Sequence, residues 1–202
     1  MEKRKQLPGK FVWFEHESHD KKRAQAFYAE LFGWKMQPFP MGSYSYDMIY
    51  AGDTMIGGWA DLKAKGAPAR WMACVSVEDV DAAAKAAAAN GGRVVDAPMP
   101  IPNVGRIARI ADPQGAEILL FKSDNGDPED GCADQGRWAW NELHTTDAYV
   151  FVDDTDAIAG RARVRGANIE MPPTDIPTIG RIAVLRDPTG AALAMIKPAP
   201  GM

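Results

Sequence analysis

Residues 11–17 (FVWFEHE), an aromatic and β-branched apolar run followed by polar residues, suit a short strand with its two-residue side-chain period. Beyond Asp20 the period lengthens, and Ala24, Phe27, Tyr28 and Leu31 recur at the spacing of one helix face. Asp20 supplies an N-cap acceptor and Gly33 a helix stop. Three strand-like runs follow at residues 34–39, 43–50 and 54–60, separated by the turn formers Pro40, Gly42, Gly52 and Asp53. The pattern predicts one βαβββ module. It then restarts with a strand at 71–78, a cap at Asp79, an alanine-rich helix to Ala89 and a stop at Asn90, Gly91 and Gly92. Strands near 93–97, 105–111 and 116–122 complete a second module. Residues 123–137 (SDNGDPEDGCADQGR) have almost no apolar side chains and read as a linker.

Past the linker the chain repeats itself at two different offsets. Residues 173–197 match residues 98–122 at 12 of 25 positions, 75 residues apart. WNELHTTD at 140–147 matches WFEHESHD at 13–20, but 127 residues apart. The 52-residue difference leaves residues 21–72 without a second copy. Thr145, Thr146 and Asp147 offer N-cap chemistry, yet a strand-like AYVFV run follows at once, with Asp154 as the next cap and Gly166 as the next stop. A cap without a helix is a local contradiction. The pattern therefore predicts a third module cut to its first strand and a complete fourth one. Open strand edges at the hole invite either pairing with a partner chain, which a homodimer would supply, or aggregation.

Length allows one large domain or two compact ones. A net charge of −4 supplies no footprint for nucleic acid, and no stretch approaches the roughly 20 apolar residues of a membrane span. The basic start MEKRKQLPGK leads into Pro8 and Gly9 rather than the apolar run of a secretory signal. Cys74 in an apolar run and Cys132 in the linker do not make a disulfide framework, and a cytoplasmic setting fits. No nucleophile elbow, phosphate-binding loop or CxxC pair is present.

The paired modules, FYAELFGW at 27–34, VEDVDAAAKAAAANGG at 77–92 and GRIARIADPQGAEI at 105–118 resemble the vicinal oxygen chelate superfamily. That group includes glyoxalase I, extradiol dioxygenases and bleomycin-resistance proteins, and the likeness is greatest to two-domain glyoxalase-like proteins, some labelled hydroxylase. The resemblance implies an α+β fold of tandem βαβββ modules, in which two modules with curved sheets pair around a ligand cleft. It implies a first domain at 10–122, the linker at 123–137 and an incomplete second domain at 138–197. Metal-using members resemble one another in carrying His, Gln or Glu on the first strand of each module and Glu on later strands. Carried onto this chain, those positions are Trp13, Trp140, Met72, Leu119 and Ala194. None is a metal donor, so neither a metal nor another cofactor is expected in the first domain.

Polar residues stand beside the vacated positions. Side-chain alternation puts Glu15 on the face of Trp13, Glu117 on that of Leu119, and Glu142 and His144 on that of Trp140. A carboxylate beside an indole can act as a base or bind a ligand; strand-end capping or arginine pairing is the alternative. Arg106 and Arg181 share a place in the repeated GRIA motif and either clamp an anionic ligand group or pair with a neighbouring acid. Trp13, Trp71, Trp138 and Trp140 form an aromatic floor for a flat ligand or pack in the core. His16 faces the helix as a packing residue, His19 is solvated, and Arg161, Arg163 and Arg165 spread around one helix. Gly57 and Gly58 end a strand and allow close packing. These features lead to a metal-independent protein that binds or sequesters a small molecule in the cleft, with no catalytic residue singled out. The alternatives are a glyoxalase-like lyase, isomerase or dioxygenase with noncanonical acids or a second-domain metal site, and a structural role.

Overall fold

The structure, a computed structural model, describes residues 4–41, 44–62, 66–129, 135–141 and 148–200, with only the backbone of residues 44, 140, 141, 148 and 149. The first module comprises β1 (Phe11–Ser18), α1 (Lys21–Phe32), β2 (Lys35–Met41), β3 (Tyr44–Ala51) and β4 (Thr54–Asp61). Its strand order is β2-β3-β4-β1, with β1 parallel to β4 and the other pairs antiparallel. A parallel pair needs a crossover, and α1 provides it. Asp20 Oδ1 accepts the Arg23 N–H at 3.1 Å at one end of the helix, and Gly33 turns the chain through a left-handed conformation at the other. The four apolar positions expected on α1 are its buried residues.

The second module repeats the plan with β5 (Arg70–Ser76), α2 (Val80–Ala89), β6 (Arg93–Ile101), β7 (Gly105–Ala111) and β8 (Glu117–Ser123), in the order β5-β8-β7-β6. After the linker come β9 (Trp138–Asn141), β10 (Ala148–Phe151), α3 (Thr155–Val164), β11 (Asn168–Ile176), β12 (Gly180–Arg186) and β13 (Ala192–Pro198), in the order β11-β12-β13-β10-β9. Strand β10 onward is a complete module, and β9 is a lone strand antiparallel to β10. The predicted idle cap at Thr145, Thr146 and Asp147 lies outside the described residues.

Three strands run on through prolines, and two of them, β2 and β6, run longer than their pattern suggests. β2 continues through Pro40, β6 through Pro98 and Pro100, and β11 through Pro172 and Pro173. Each is the last strand in its order, where a missing backbone N–H deprives no neighbour. Gly57 and Gly58 lie inside β4 rather than at its end.

Contacts divide the chain into two compact units, Met1–Phe14 with Met72–Gly131, and Glu15–Trp71 with Cys132–Met202. This differs from the chain-order division at the linker: the body of the first module groups with the C-terminal stretch. Within that unit Trp34 Nε1 donates to the Gly136 carbonyl at 2.7 Å, Trp138 Nε1 to the Ile56 carbonyl at 2.6 Å, and His16 meets Asp187. Bonds between residues so distant in sequence leave no periodic trace. The other unit has its own core of Val80, Ala84, Ala108 and Leu120 between α2 and its strands. Among the described residues no helix is long and apolar enough to cross a membrane.

The glycine of each GRIA motif is required by the ladder itself. A Cβ on Gly105 would lie 2.1 Å from the Lys122 carbonyl oxygen, and one on Gly180 2.3 Å from that of Lys197, both at positive φ. Gly105→Ala and Gly180→Ala are each expected to lose about 2 kcal/mol of stability in urea denaturation.

Candidate functional site

The parallel pair has one register in all three complete modules: Glu15 opposite Gly58, Cys74 opposite Leu119, and Tyr149 opposite Ala194. Glu15, Cys74 and Tyr149 each stand five residues before the aspartate that caps their helix. Gly58 is therefore the first-module counterpart of Leu119 and Ala194. Sequence comparison missed it, because the β3–β4 hairpin carries no copy of the GRIA motif. Only the ladder reveals the equivalence.

Leu119 is buried with Met72 and Cys74, and Trp13, Val12, Ile107 and Phe121 pack against them. Ala194 is buried with Ile182 and Ile196. Apart from the single Cys74 thiol and the weak Met72 thioether, hydrocarbon and indole fill the ground where a metal would need several nitrogen, oxygen or thiolate donors. Among the described residues no three His, Cys, Asp or Glu side chains converge on a metal position. These residues do not fit a divalent ion.

The first module treats the position differently. α1 covers one face of its sheet, where Gln25 bonds Asp47, and by alternation Glu15, Glu17, Tyr46 and Gly58 belong to the other. Tyr46 lies across Gly58, so that a Cβ there would come within 2.2 Å of the phenol oxygen. The Tyr46 hydroxyl donates to Glu15 Oε2 at 2.7 Å. Beside this pair Arg70 Nε donates to the almost wholly buried Glu17 carboxylate, also at 2.7 Å. Phe39, opposite Tyr46 in the β2–β3 ladder, keeps 43% of its surface exposed. The face therefore combines a phenol–carboxylate pair, a guanidinium–carboxylate pair and an open aromatic ring. Of these residues, pattern reading singled out Glu15 alone; nothing in sequence pairs it with Tyr46.

The other predicted residues are dispersed. Trp13 joins the apolar cluster around Leu119. Trp71 is buried in an aromatic core, donating from Nε1 to the Tyr28 hydroxyl and touching the Trp138 ring at 4.8 Å. Arg106 forms a two-bond clamp on Asp81, and Arg181 forms the same clamp on Asp156 while also reaching Asp175 at 3.0 Å. The hydrogen bonds from these guanidinium groups hold the Asp81 and Asp156 carboxyls below their ordinary pKa. Glu117 lies 3.5 Å from Arg109. Glu142, His144 and the Trp140 side chain lie outside the described residues, as does Cys132.

Two sequence readings change in detail. Arg161 and Arg165 do not spread around α3: one turn apart, they reach the Leu31 carbonyl and the Glu30 carboxylate of α1. They border a groove of about 840 Å³ with Leu31, Phe32, Phe151 and Val164, which none of the predicted ligand residues lines. His16 is a packing residue, as its face suggests, but it is also bonded: Nε2 lies 3.1 Å from Asp187 Oδ2, both side chains fully buried. Burial is the largest influence on its imidazole and lowers its pKa, against the raising effect of Asp187. Burial alone would raise the pKa of Asp187, but the bonds from His16, Thr189 and Ala191 outweigh it and lower the net value.

A family model for the bleomycin resistance protein-like N-terminal region matches residues 10–46, the span from β1 into β3. CFP32 of Mycobacterium tuberculosis (strain CDC 1551 / Oshkosh), named as a candidate glyoxylase, is 28% identical over 246 positions, covering 93% of this chain and 94% of its own. An Mn(II)-bound glyoxalase from Novosphingobium aromaticivorans superposes with a TM-score of 0.60 at 14% identity, over 94% of this chain and 82% of its own. An extradiol ring-cleaving dioxygenase from B. fuscum gives 0.63 at 11% identity, over 99% and 75%. In sequence and in fold the chain is similar to the vicinal oxygen chelate superfamily.

Members of the vicinal oxygen chelate superfamily share a scaffold rather than a reaction. The alignment with CFP32 spans more positions than this chain has residues, so part of CFP32 has no counterpart here. Within this chain the Tyr46–Glu15 bond is the interaction most open to direct test. Tyr46→Phe is expected to lose about 1 kcal/mol in urea denaturation. A cycle with Glu15→Gln should show coupling on the order of 1 kcal/mol, which two independent sites would not.

Proposed function

We propose that the chain is a metal-independent protein that binds or sequesters a small organic molecule on the sheet face opposite α1. The carrying observation is the Tyr46–Glu15 hydrogen bond laid across Gly58, at the register position where Leu119 and Ala194 stand in the other modules. The glycine lets the Tyr46 ring lie against the sheet, Phe39 and Tyr46 offer rings for a flat molecule to stack on, and the Glu15 and Arg70 head groups offer polar anchors. The paired charges and apolar clusters favour recognition by shape and hydrogen bonding over tight capture of an ion. Neither a nucleic acid nor a membrane is needed as partner.

A second reading, a glyoxalase-like lyase, isomerase or dioxygenase, draws support from the same pair. A phenol bonded to a carboxylate can pass a proton to and from a substrate. Turnover that depends on both Tyr46 and Glu15 would favour it over sequestration.

The test is a thermal-shift and fluorescence screen of flat hydroxylated aromatic compounds in the presence of chelator. A ligand that binds the face should raise the melting temperature. Gly58→Leu should abolish that shift by displacing Tyr46, and Tyr46→Phe should weaken affinity about tenfold, the equivalent of one hydrogen bond. Binding that survives Gly58→Leu unchanged would contradict the proposal.

A further inference from the structure

The binding face makes no use of His16, which is among the most buried polar groups in its unit. Its imidazole projects to the α1 side of the sheet and lies 4.6 Å from the Trp59 ring, 4.9 Å from Trp71 and 5.8 Å from Tyr28, centroid to centroid. The bond from Nε2 crosses 171 residues of sequence to Asp187, in the turn between β12 and β13. Nδ1 is buried with no hydrogen-bond partner. Asp187 is itself fixed: its Oδ1 accepts from the Thr189 N–H at 2.7 Å, the Thr189 hydroxyl at 2.7 Å and the Ala191 N–H at 3.0 Å. The homologous turn of the second module builds the same frame on Asp112, which bonds Gln114 and Ala116 but remains exposed. Burial against a histidine is thus an addition to this turn and not a requirement of it.

We infer that the His16–Asp187 contact is an acid-sensitive clasp that holds the β12–β13 turn against the first module and opens when His16 takes up a proton. In the closed form the neutral imidazole donates from Nε2 to Asp187 and keeps its other nitrogen bare. A second proton would place an N–H at Nδ1 inside a shell of rings with no acceptor. The titratable groups facing the imidazole are Asp187 from the turn, Glu17 from β1, already paired with Arg70, and the Tyr28 phenol from α1; Trp59 and Trp71 add none. Burial outweighs the two carboxylates and keeps the closed-form imidazole below its ordinary 6.5. The open form therefore binds a proton that the closed form refuses. The clasp is at full strength above 6.5 and weakens as the pH falls from there toward the lowered value. Asp187, also lowered, adds to the loss only below its ordinary 3.8.

Native-state hydrogen exchange at the Ala191 and Ala192 amides, corrected for the intrinsic rate, reads the opening directly. In the wild-type chain, protection at these amides should fall by up to about tenfold per pH unit below 6.5, the limit for one linked proton. His16→Gln keeps a donor for Asp187 but cannot take up the proton, and its protection should be flat across the same range. A wild-type profile shared by His16→Gln overturns the clasp. Where His16→Gln does not fold, the NMR titration of the His16 ring in the wild-type chain decides. Titration below 6.5, in step with loss of turn protection and of Trp59 and Trp71 emission, supports the clasp. Titration at or above 6.5, or protonation that leaves the turn protected, overturns it.

Discussion

The register of the parallel strand pair is the constraint on which the rest of the structure depends. In each complete module the first strand leaves through a helix and the last strand returns beside it, and the pairing places residues five before the cap opposite Gly58, Leu119 or Ala194. A shift of one residue would turn every side chain of the strand to the other face, burying Glu15 under α1 and exposing His16. The helix face, with its apolar stripe from α1, α2 or α3, prevents that slip. One alternation thus settles both the composition of the core and the composition of the opposite face.

That opposite face has diverged among modules that share their backbone. In the second it is occupied by buried Leu119 with partly buried Phe121 and Ile107, and in the fourth by buried Ala194, Ile196 and Ile182, apolar side chains at corresponding places. In the first it holds hydrogen-bonded polar pairs around Gly58. Hydrocarbon positions stabilise the sheet by the hydrophobic effect and bind nothing charged, whereas the polar face gives up some of that stability for hydrogen-bonding specificity. The division shows how modules that share one backbone can present different chemistry on the same face.

Most of the fold was legible in the sequence because its signals are local. Asp20, Asp79 and Asp154 cap the helices expected of them, and the buried face of α1 is the one its period announces. The extra length of β2 and β6 was hidden by their prolines, whose tolerance depends on an outermost place in the sheet. The candidate site was less legible. Glu15 could be assigned to its face from alternation, but its bond to Tyr46 and the role of Gly58 depend on a ladder between strands about 40 residues apart. Arg106 and Arg181 offered two readings in sequence, and the structure pairs each with an aspartate in the first turn of a neighbouring helix. Asp187 carried no signal at all beyond its turn, since the histidine it meets lies at the other end of the chain.

Metal independence, as we propose it for this chain, follows from the donor-poor ground around Leu119 and Ala194. Its most direct test is titration of the chelator-treated, purified protein with Mn(II), Ni(II) and Zn(II), followed by calorimetry and by metal analysis after dialysis. No stoichiometric uptake and no change in melting temperature are expected. One ion retained per chain, removed by chelator with loss of a measurable activity or of ligand binding, would contradict it.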